Sequence, residues 1–126
     1  MSLKTPLARA IGLGSAKEGA HHWWVQRLTA VALALLTPWF IWGVLHLIPG
    51  DHAQVRAALA RPLNASLLLA FVLALFWHAR LGLQVIVEDY IHTKWLEVGL
   101  QIAIQFACWL GALASAIAIG RIVFTG

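Results

Sequence analysis

The chain contains few charged residues and only one cysteine. Only 11% of its 126 residues are Asp, Glu, Lys or Arg, whereas a soluble domain contains about a quarter. The single cysteine, Cys108, excludes an internal disulfide, a cysteine zinc site and an iron–sulfur cluster. The motif C-x-x-C-H is missing as well, which excludes a covalently attached haem. Whatever chemistry the chain performs must therefore rest on a few polar side chains in an apolar background.

Three long apolar runs account for this composition. They cover residues 28–48, 65–87 and 98–124, and the mean hydropathy of the chain is +0.81. Each run exceeds the ~20 residues with which a helix crosses the hydrocarbon core of a bilayer. Continuous apolar runs without period-two alternation are typical of membrane helices and not of a transmembrane barrel. The sequence therefore predicts an all-α membrane protein with three transmembrane helices, in a single domain over residues 1–126.

The polar segments between the runs predict the boundaries of the helices. We expect a leader at 1–25, an outer loop at 49–64, an inner loop at 89–95 and transmembrane segments at 26–48, 65–88 and 96–124. The outer loop opens with the turn Pro49-Gly50-Asp51, in which Asp51 can cap a short helix over 53–60. Arg61-Pro62 then ends that helix and begins the second span.

The basic residues indicate how the chain is oriented. One side of the membrane receives Lys4, Arg9, Lys17, Arg27 and Lys94, and the other side receives Arg56, Arg61 and Arg121. The positive-inside rule then predicts a cytoplasmic N-terminus and a periplasmic C-terminus. These residues are too few and too dispersed for a nucleic-acid surface, despite the net charge of +4. We expect the lipid bilayer, and no nucleic acid, as a partner.

His78 is the most informative residue because it lies near the middle of the second apolar run. An ionisable side chain in the hydrocarbon region is costly without a partner and usually marks function. The imidazole can bind a metal or a haem iron, or it can hydrogen-bond to a neighbouring helix or line a polar cavity. Gly82 lies one turn further along the same face. Its missing side chain leaves room either for a flat macrocycle beside the imidazole or for a closely packed helix.

A haem bound by His78 would need help from another chain. No other histidine lies at this depth, and the only methionine is Met1. A six-coordinate haem needs two axial ligands, so the second would come from another subunit. The haem would then lie at a subunit interface, which suits a chain of three helices with little core of its own.

Asp89 and Tyr90 lie where the second run meets water. On a helix, Asp89 falls on the same stripe as His78, about 16 Å further along the axis. A tyrosine hydroxyl can donate a hydrogen bond to a quinone carbonyl, and a carboxylate can support it or relay protons from water. The alternative is a tyrosine of the aromatic belt beside a solvated carboxylate.

Two further candidates lie at the start of the first span, Arg27 at its inner end and His21 six residues before it. A guanidinium at the membrane surface binds an anionic propionate or a lipid phosphate, or simply anchors the helix. Arg80, two residues from His78, points to nearly the opposite face and must reach the interface or find a polar partner.

The segment from His78 to Tyr90 resembles the signature of the hydrophobic membrane anchor subunit of succinate dehydrogenase, respiratory complex II. The shared pattern is a histidine, a glycine four residues later, and Asp-Tyr at eleven and twelve residues. The segment from Gly19 to Ala30 (GAHHWWVQRLTA) is similar to the start of the family's first helix. The resemblance covers roughly residues 14–126 and is to the bacterial D-type anchors.

This resemblance implies a non-catalytic subunit of a succinate:quinone oxidoreductase in the bacterial inner membrane. Its partners would be a flavoprotein, an iron–sulfur protein and a second, cytochrome b-type membrane anchor. His78 would be one axial ligand of a haem b shared with that second anchor. Tyr90, supported by Asp89, would hydrogen-bond ubiquinone.

The resemblance also places Arg27, and less directly His21, near the haem propionates, with Gly82 beside the macrocycle. Two other functions stay open. In a haem-free structural or assembly protein, His78 would only pack. A cytochrome b subunit of another quinone-linked oxidoreductase is the third possibility, although such chains usually hold both ligands of a haem themselves.

Overall fold

The computed structural model describes residues 16–125, with side chains from residue 20 onward, and this part of the chain is helical without strands. Three of its helices are long and apolar enough to cross a membrane. This confirms the predicted all-α class and the three membrane-spanning helices. The orientation in the membrane stays a prediction. The helices are α1 (Ala16–Leu47), α2 (His52–Ala60), α3 (Pro62–Tyr90) and α4 (Lys94–Thr125).

Helix α1 begins at Ala16 and therefore extends well before the predicted span at 26–48. The stretch from residue 20 to residue 37 contains no proline or glycine, so nothing in it interrupts the helix. A helix that leaves the hydrocarbon keeps its backbone hydrogen bonds and can continue into the interface. The rest of the predicted leader, with Lys4 and Arg9, lies outside the described residues.

The predicted short helix after the first span is confirmed as α2. Asp51 Oδ1 accepts a hydrogen bond from Gln54 N at 2.8 Å, and Gln54 Oε1 accepts one from Asp51 N at 3.0 Å. This reciprocal capping box satisfies two backbone donors that the helix cannot satisfy itself. Arg61 ends α2, and Pro62 begins α3, where its missing N–H costs nothing.

Helix α3 is the centre of the fold, since it packs against both α1 and α4. The buried apolar residues of the described chain all belong to it: Ala65, Phe71, Leu81 and Val87. Phe71 stacks on Phe40 of α1, with the ring centroids 4.7 Å apart. Most other large apolar side chains are exposed, as expected where lipid is the solvent. Much of the surface is therefore available to lipid or to other membrane subunits.

The contact between α3 and α4 depends on Gly111. A Cβ at this position would lie 2.6 Å from Cε1 of Phe76. We predict that Gly111→Ala destabilises the protein by about 1–3 kcal/mol, because an overpacked interface must shift. Thermal unfolding in detergent measures the effect. Gly99→Ala on the same helix is the matched control, since a Cβ there would meet nothing within 4 Å. Equal melting temperatures for the two variants would show that the interface yields without cost.

Candidate functional site

His78 lies near the middle of α3 and is half-buried against α1. Its Nδ1 atom is 3.1 Å from Oγ1 of Thr29. The same hydroxyl oxygen is 2.9 Å from the carbonyl oxygen of Val25 and 3.0 Å from that of Gln26. One imidazole nitrogen thus has a partner on a neighbouring helix, as a polar group in an apolar environment requires. The other nitrogen, Nε2, has no hydrogen-bond partner among the described residues.

The surface beside His78 is open at Gly82. A Cβ added there would meet no described atom within 4 Å, although the preceding residue, Leu81, is only 4% exposed. Helices α1 and α4 do not fill this space. Close packing within the described chain therefore does not explain why position 82 lacks a side chain. A flat ligand or a helix of another subunit would explain it.

A buried polar atom without a partner lies at the same level of the bundle. Gln26 Oε1 is inaccessible to solvent and has no hydrogen-bond partner in the described chain. Helices α1 and α3 are antiparallel, because Phe40 pairs with Phe71 and Thr29 with His78. Gln26 precedes Thr29 by three residues, about 4.5 Å, which brings it level with Leu81, the residue before Gly82. Leaving a buried acceptor unpaired costs about 1–3 kcal/mol.

These observations fit a haem better than a metal ion held by side chains alone. Within the described part of the chain, no three His, Cys, Asp or Glu residues are grouped so that they could hold a metal ion. A porphyrin supplies the equatorial nitrogen ligands itself and needs only axial ligands from the protein. One imidazole with an unengaged nitrogen beside an open surface meets the requirement for this chain's half of such a site.

The structure does not bring Arg27 or His21 against His78. Both lie on the exposed surface of α1. The Cζ atom of Arg27 is 5.0 Å from the ring centroid of Trp23, one turn earlier. At about 100° per residue, Arg27 lies about 160° around the helix from Thr29. Their placement near haem propionates stays a prediction, and it requires a haem that reaches past α1 towards another subunit.

Arg80 makes a cation–π contact within its own helix. Its Cζ atom lies 5.3 Å from the ring centroid of Trp77, which itself makes an edge contact with Trp109 of α4. This cation–π contact lies on the side of α3 that faces α4 and accommodates the guanidinium without an acidic residue. In the described chain, the guanidinium of Arg80 is therefore engaged on a side of α3 away from His78.

Asp89 and Tyr90 form the exposed end of α3. Tyr90 is the last residue of the helix and 75% exposed, and Asp89 is exposed beside it. Neither side chain has a hydrogen-bond partner among the described residues. The hydrogen bond from Ile91 N to Val87 O, 2.9 Å, closes the helix just beyond them. Tyr90 lies about 18 Å along the helix axis from His78. The two predicted sites thus occupy different levels of one rigid helix.

Sequence reasoning missed Thr29 and Gln26. In the sequence alone, nothing distinguishes a threonine and a glutamine near the start of a membrane helix. Only the contact of Thr29 across the α1–α3 interface reveals that this face of α1 lies against His78. The one available signal was the polar character of both residues on a single helical face, since they are three residues apart.

Comparisons with known proteins identify relatives over most of the chain. Residues 1–118 match the family model described as succinate dehydrogenase/fumarate reductase transmembrane subunit. The chain is 36% identical over 116 residues to the succinate dehydrogenase hydrophobic membrane anchor subunit of Rickettsia bellii, covering 92% of this chain and 93% of that protein. It is 32% identical over 117 residues to the subunit of the same name from Paracoccus denitrificans, covering 93% and 90%. No solved structure matches the chain.

Proposed function

Since the chain belongs to the succinate dehydrogenase/fumarate reductase transmembrane subunit family and is a membrane anchor subunit of succinate dehydrogenase, we propose that it forms one side of a haem b site and part of the ubiquinone-reduction site. A flavoprotein and an iron–sulfur protein are the catalytic subunits that it anchors, in the bacterial inner membrane. A second, cytochrome b-type anchor completes the haem site. The chain itself is non-catalytic.

The haem proposal rests on the hydrogen bonding of the two ring nitrogens of His78. Its Nδ1 atom is engaged by Thr29, and its Nε2 atom lacks a partner in the described chain. The open surface at Gly82 adds room for a macrocycle on the same face. When bound, haem b supplies a one-electron redox centre. His78 would hold the haem iron on this side, and Thr29 of α1 would hold the imidazole in place.

The quinone proposal rests on Tyr90 and Asp89. Reduction of a quinone takes two electrons and two protons, and the electrons arrive from the catalytic subunits. The Tyr90 hydroxyl donates a hydrogen bond to a quinone carbonyl oxygen, which stabilises the negative charge that develops there. Asp89, exposed at the membrane surface, takes protons from water and passes them towards that oxygen. Their lack of partners in the described chain leaves both groups available for a ligand.

A reduced-minus-oxidised optical spectrum of the complex purified through this chain tests the proposal. We expect a b-type spectrum together with flavoprotein and iron–sulfur subunits that oxidise succinate. Those partners without a haem spectrum would contradict the haem site and keep the anchor function. Absence of all partners would contradict the proposed assembly.

Gly82 allows a sharper test of where the macrocycle lies. Neither Gly82→Ala nor Gly99→Ala would meet an atom of the described chain within 4 Å, so both variants should fold alike. In the complex, we expect Gly82→Ala to lower the haem-to-flavin ratio severalfold, because the added methyl group occupies space next to the iron ligand. Gly99→Ala should keep the wild-type ratio. An unchanged ratio in Gly82→Ala would contradict a macrocycle packed on this residue.

A haem-free anchor is the second candidate, and the Thr29–His78 contact is the observation that favours it. That contact alone already gives the imidazole a partner in the membrane. This alternative predicts the same catalytic partners with no b-type spectrum. The sequence also raised a third possibility, a cytochrome b subunit of another oxidoreductase. The family of the chain argues against it.

A further inference from the structure

We propose that Thr29 is a positioning residue that holds His78 in the Nδ1–H tautomer and thereby leaves the Nε2 lone pair for iron. The binding of iron rests on the proposed function. The tautomer itself rests on the geometry around one hydroxyl group and can be tested without haem.

The single hydroxyl proton of Thr29 limits how its three short contacts can be formed. The Thr29 hydroxyl oxygen lies 2.9 Å from Val25 O, 3.0 Å from Gln26 O and 3.1 Å from His78 Nδ1. A carbonyl oxygen can only accept, and a hydroxyl has one proton to donate. The hydroxyl proton therefore points either to a carbonyl of α1 or to the imidazole.

The two arrangements differ in how many contacts of the Thr29 hydroxyl are attractive. If the hydroxyl donates to His78, its lone pairs face two carbonyl oxygens at hydrogen-bond distance with no proton between them, which is repulsive. If it donates to a carbonyl of its own helix, as threonine commonly does within membrane helices, the imidazole must donate from Nδ1. The imidazole contact and the contact to the carbonyl that receives the hydroxyl proton are then both attractive. One O···O contact is left without its own proton, against two in the first arrangement. The geometry favours the second arrangement.

This arrangement determines the chemistry of the other nitrogen. A neutral imidazole carries one N–H, so a proton on Nδ1 leaves Nε2 with its lone pair. A doubly protonated ring would place a positive charge at mid-membrane, which is costly. Metal-binding histidines typically donate their second nitrogen to an oxygen acceptor, which orients the ring and raises the basicity of the ligating nitrogen. Threonine also has few rotamers in a helix, so the acceptor is held in place.

The first experiment reads the tautomer directly. The full-length chain, with ¹⁵N-labelled histidine, is placed in lipid nanodiscs without haem, in alkaline buffer in which an ordinary imidazole is neutral. The signals of His78 are those that disappear in His78→Gln. We expect a protonated Nδ1 and an unprotonated Nε2 in the wild type. Thr29→Val keeps the shape but lacks the hydroxyl, and it should lose this tautomer preference, whereas Thr29→Ser should keep it. A wild-type His78 protonated at Nε2 would overturn the proposal.

The second experiment uses the haem-loaded complex. Without an acceptor at Nδ1, the imidazole donates less electron density to iron, so Thr29→Val should shift the haem midpoint potential to more positive values. Thr29→Ser should return it towards the wild-type value. A residue that only packs would leave the potential of the valine variant unchanged, because valine fills the same volume.

The two proposals fail in different ways. If His78→Ala removes the haem spectrum but Thr29→Val changes neither tautomer nor potential, His78 is the ligand and the positioning role is wrong. If haem is bound with an unchanged spectrum in His78→Ala, iron ligation is wrong, and with it the purpose assigned to Thr29. Nδ1 protonation that depends on Thr29, together with the potential shift, supports both.

Discussion

Replacing His78 with alanine is expected to remove the b-type haem spectrum from the purified complex while the catalytic subunits stay bound. Loss of partners that merely orient a metal ligand already lowers affinity about 10- to 100-fold. Removal of the ligand itself should therefore cost more than about 100-fold, which empties the site at ordinary haem concentrations. The haem-to-flavin ratio and the optical spectrum measure this result. Succinate oxidation by artificial dyes should persist, because the dyes take electrons before they reach the membrane.

His46 provides the matched control for this experiment. It is exposed near the opposite end of α1, where its Nδ1 atom lies 2.9 Å from the carbonyl oxygen of Trp42. It lies about 25 Å along the helix from Thr29, too far to share a ligand with His78. His46→Ala should keep the wild-type haem content. A wild-type spectrum and stoichiometry in His78→Ala would refute the assignment of His78 as an axial ligand.

Replacing Tyr90 with phenylalanine is expected to lower succinate–quinone turnover by roughly 10- to 100-fold and to spare dye-linked succinate oxidation. The change removes one hydroxyl donor, and a hydrogen bond to a group that becomes charged is worth about 1.5–3 kcal/mol. The side chain is 75% exposed in the described chain, so phenylalanine should cost no packing within it. Parallel assays with a quinone and with a dye, on the same preparation, measure the effect.

Trp95 is the control for this second prediction, because it is also 75% exposed and lies at the same end of the bundle. Trp95→Phe removes an indole donor and should leave the ratio of the two assays near the wild-type value. Asp89→Asn should slow quinone reduction with the same dye-linked rate, since it removes the proton-accepting group. An equal fall of both assays in Tyr90→Phe would indicate failed assembly and argue against a hydrogen bond to quinone.

Local features of the chain were readable in the sequence because they depend on neighbouring residues alone. The three spans follow from the length of each apolar run against the thickness of a bilayer. The cap at Asp51 and the start of α3 at Pro62 follow from backbone chemistry within a few residues. The start of α1 at Ala16 could not be read from the apolar run, because a helix can begin before its apolar residues do.

The surroundings of His78 were decided by the tertiary structure. Lipid is as apolar as the side chains, so no hydrophobic pattern marks the face with which one membrane helix meets another. The rotation and depth of α1 against α3 bring Thr29 to the imidazole and leave Gln26 Oε1 unpartnered. The same packing turns Arg27 away and leaves Gly82 open.

The sequence by itself thus determined a three-span membrane protein, its resemblance to the succinate dehydrogenase anchors and the importance of His78. These conclusions rest on hydrophobic run length and on a spacing within one helix, both of which are properties of a single segment. The tertiary structure alone decided which nitrogen of His78 is engaged and by which residue. The partner of that nitrogen depends on how α1 and α3 are placed against each other. This placement results from packing between the two helices and cannot be read from the order of residues in either helix alone.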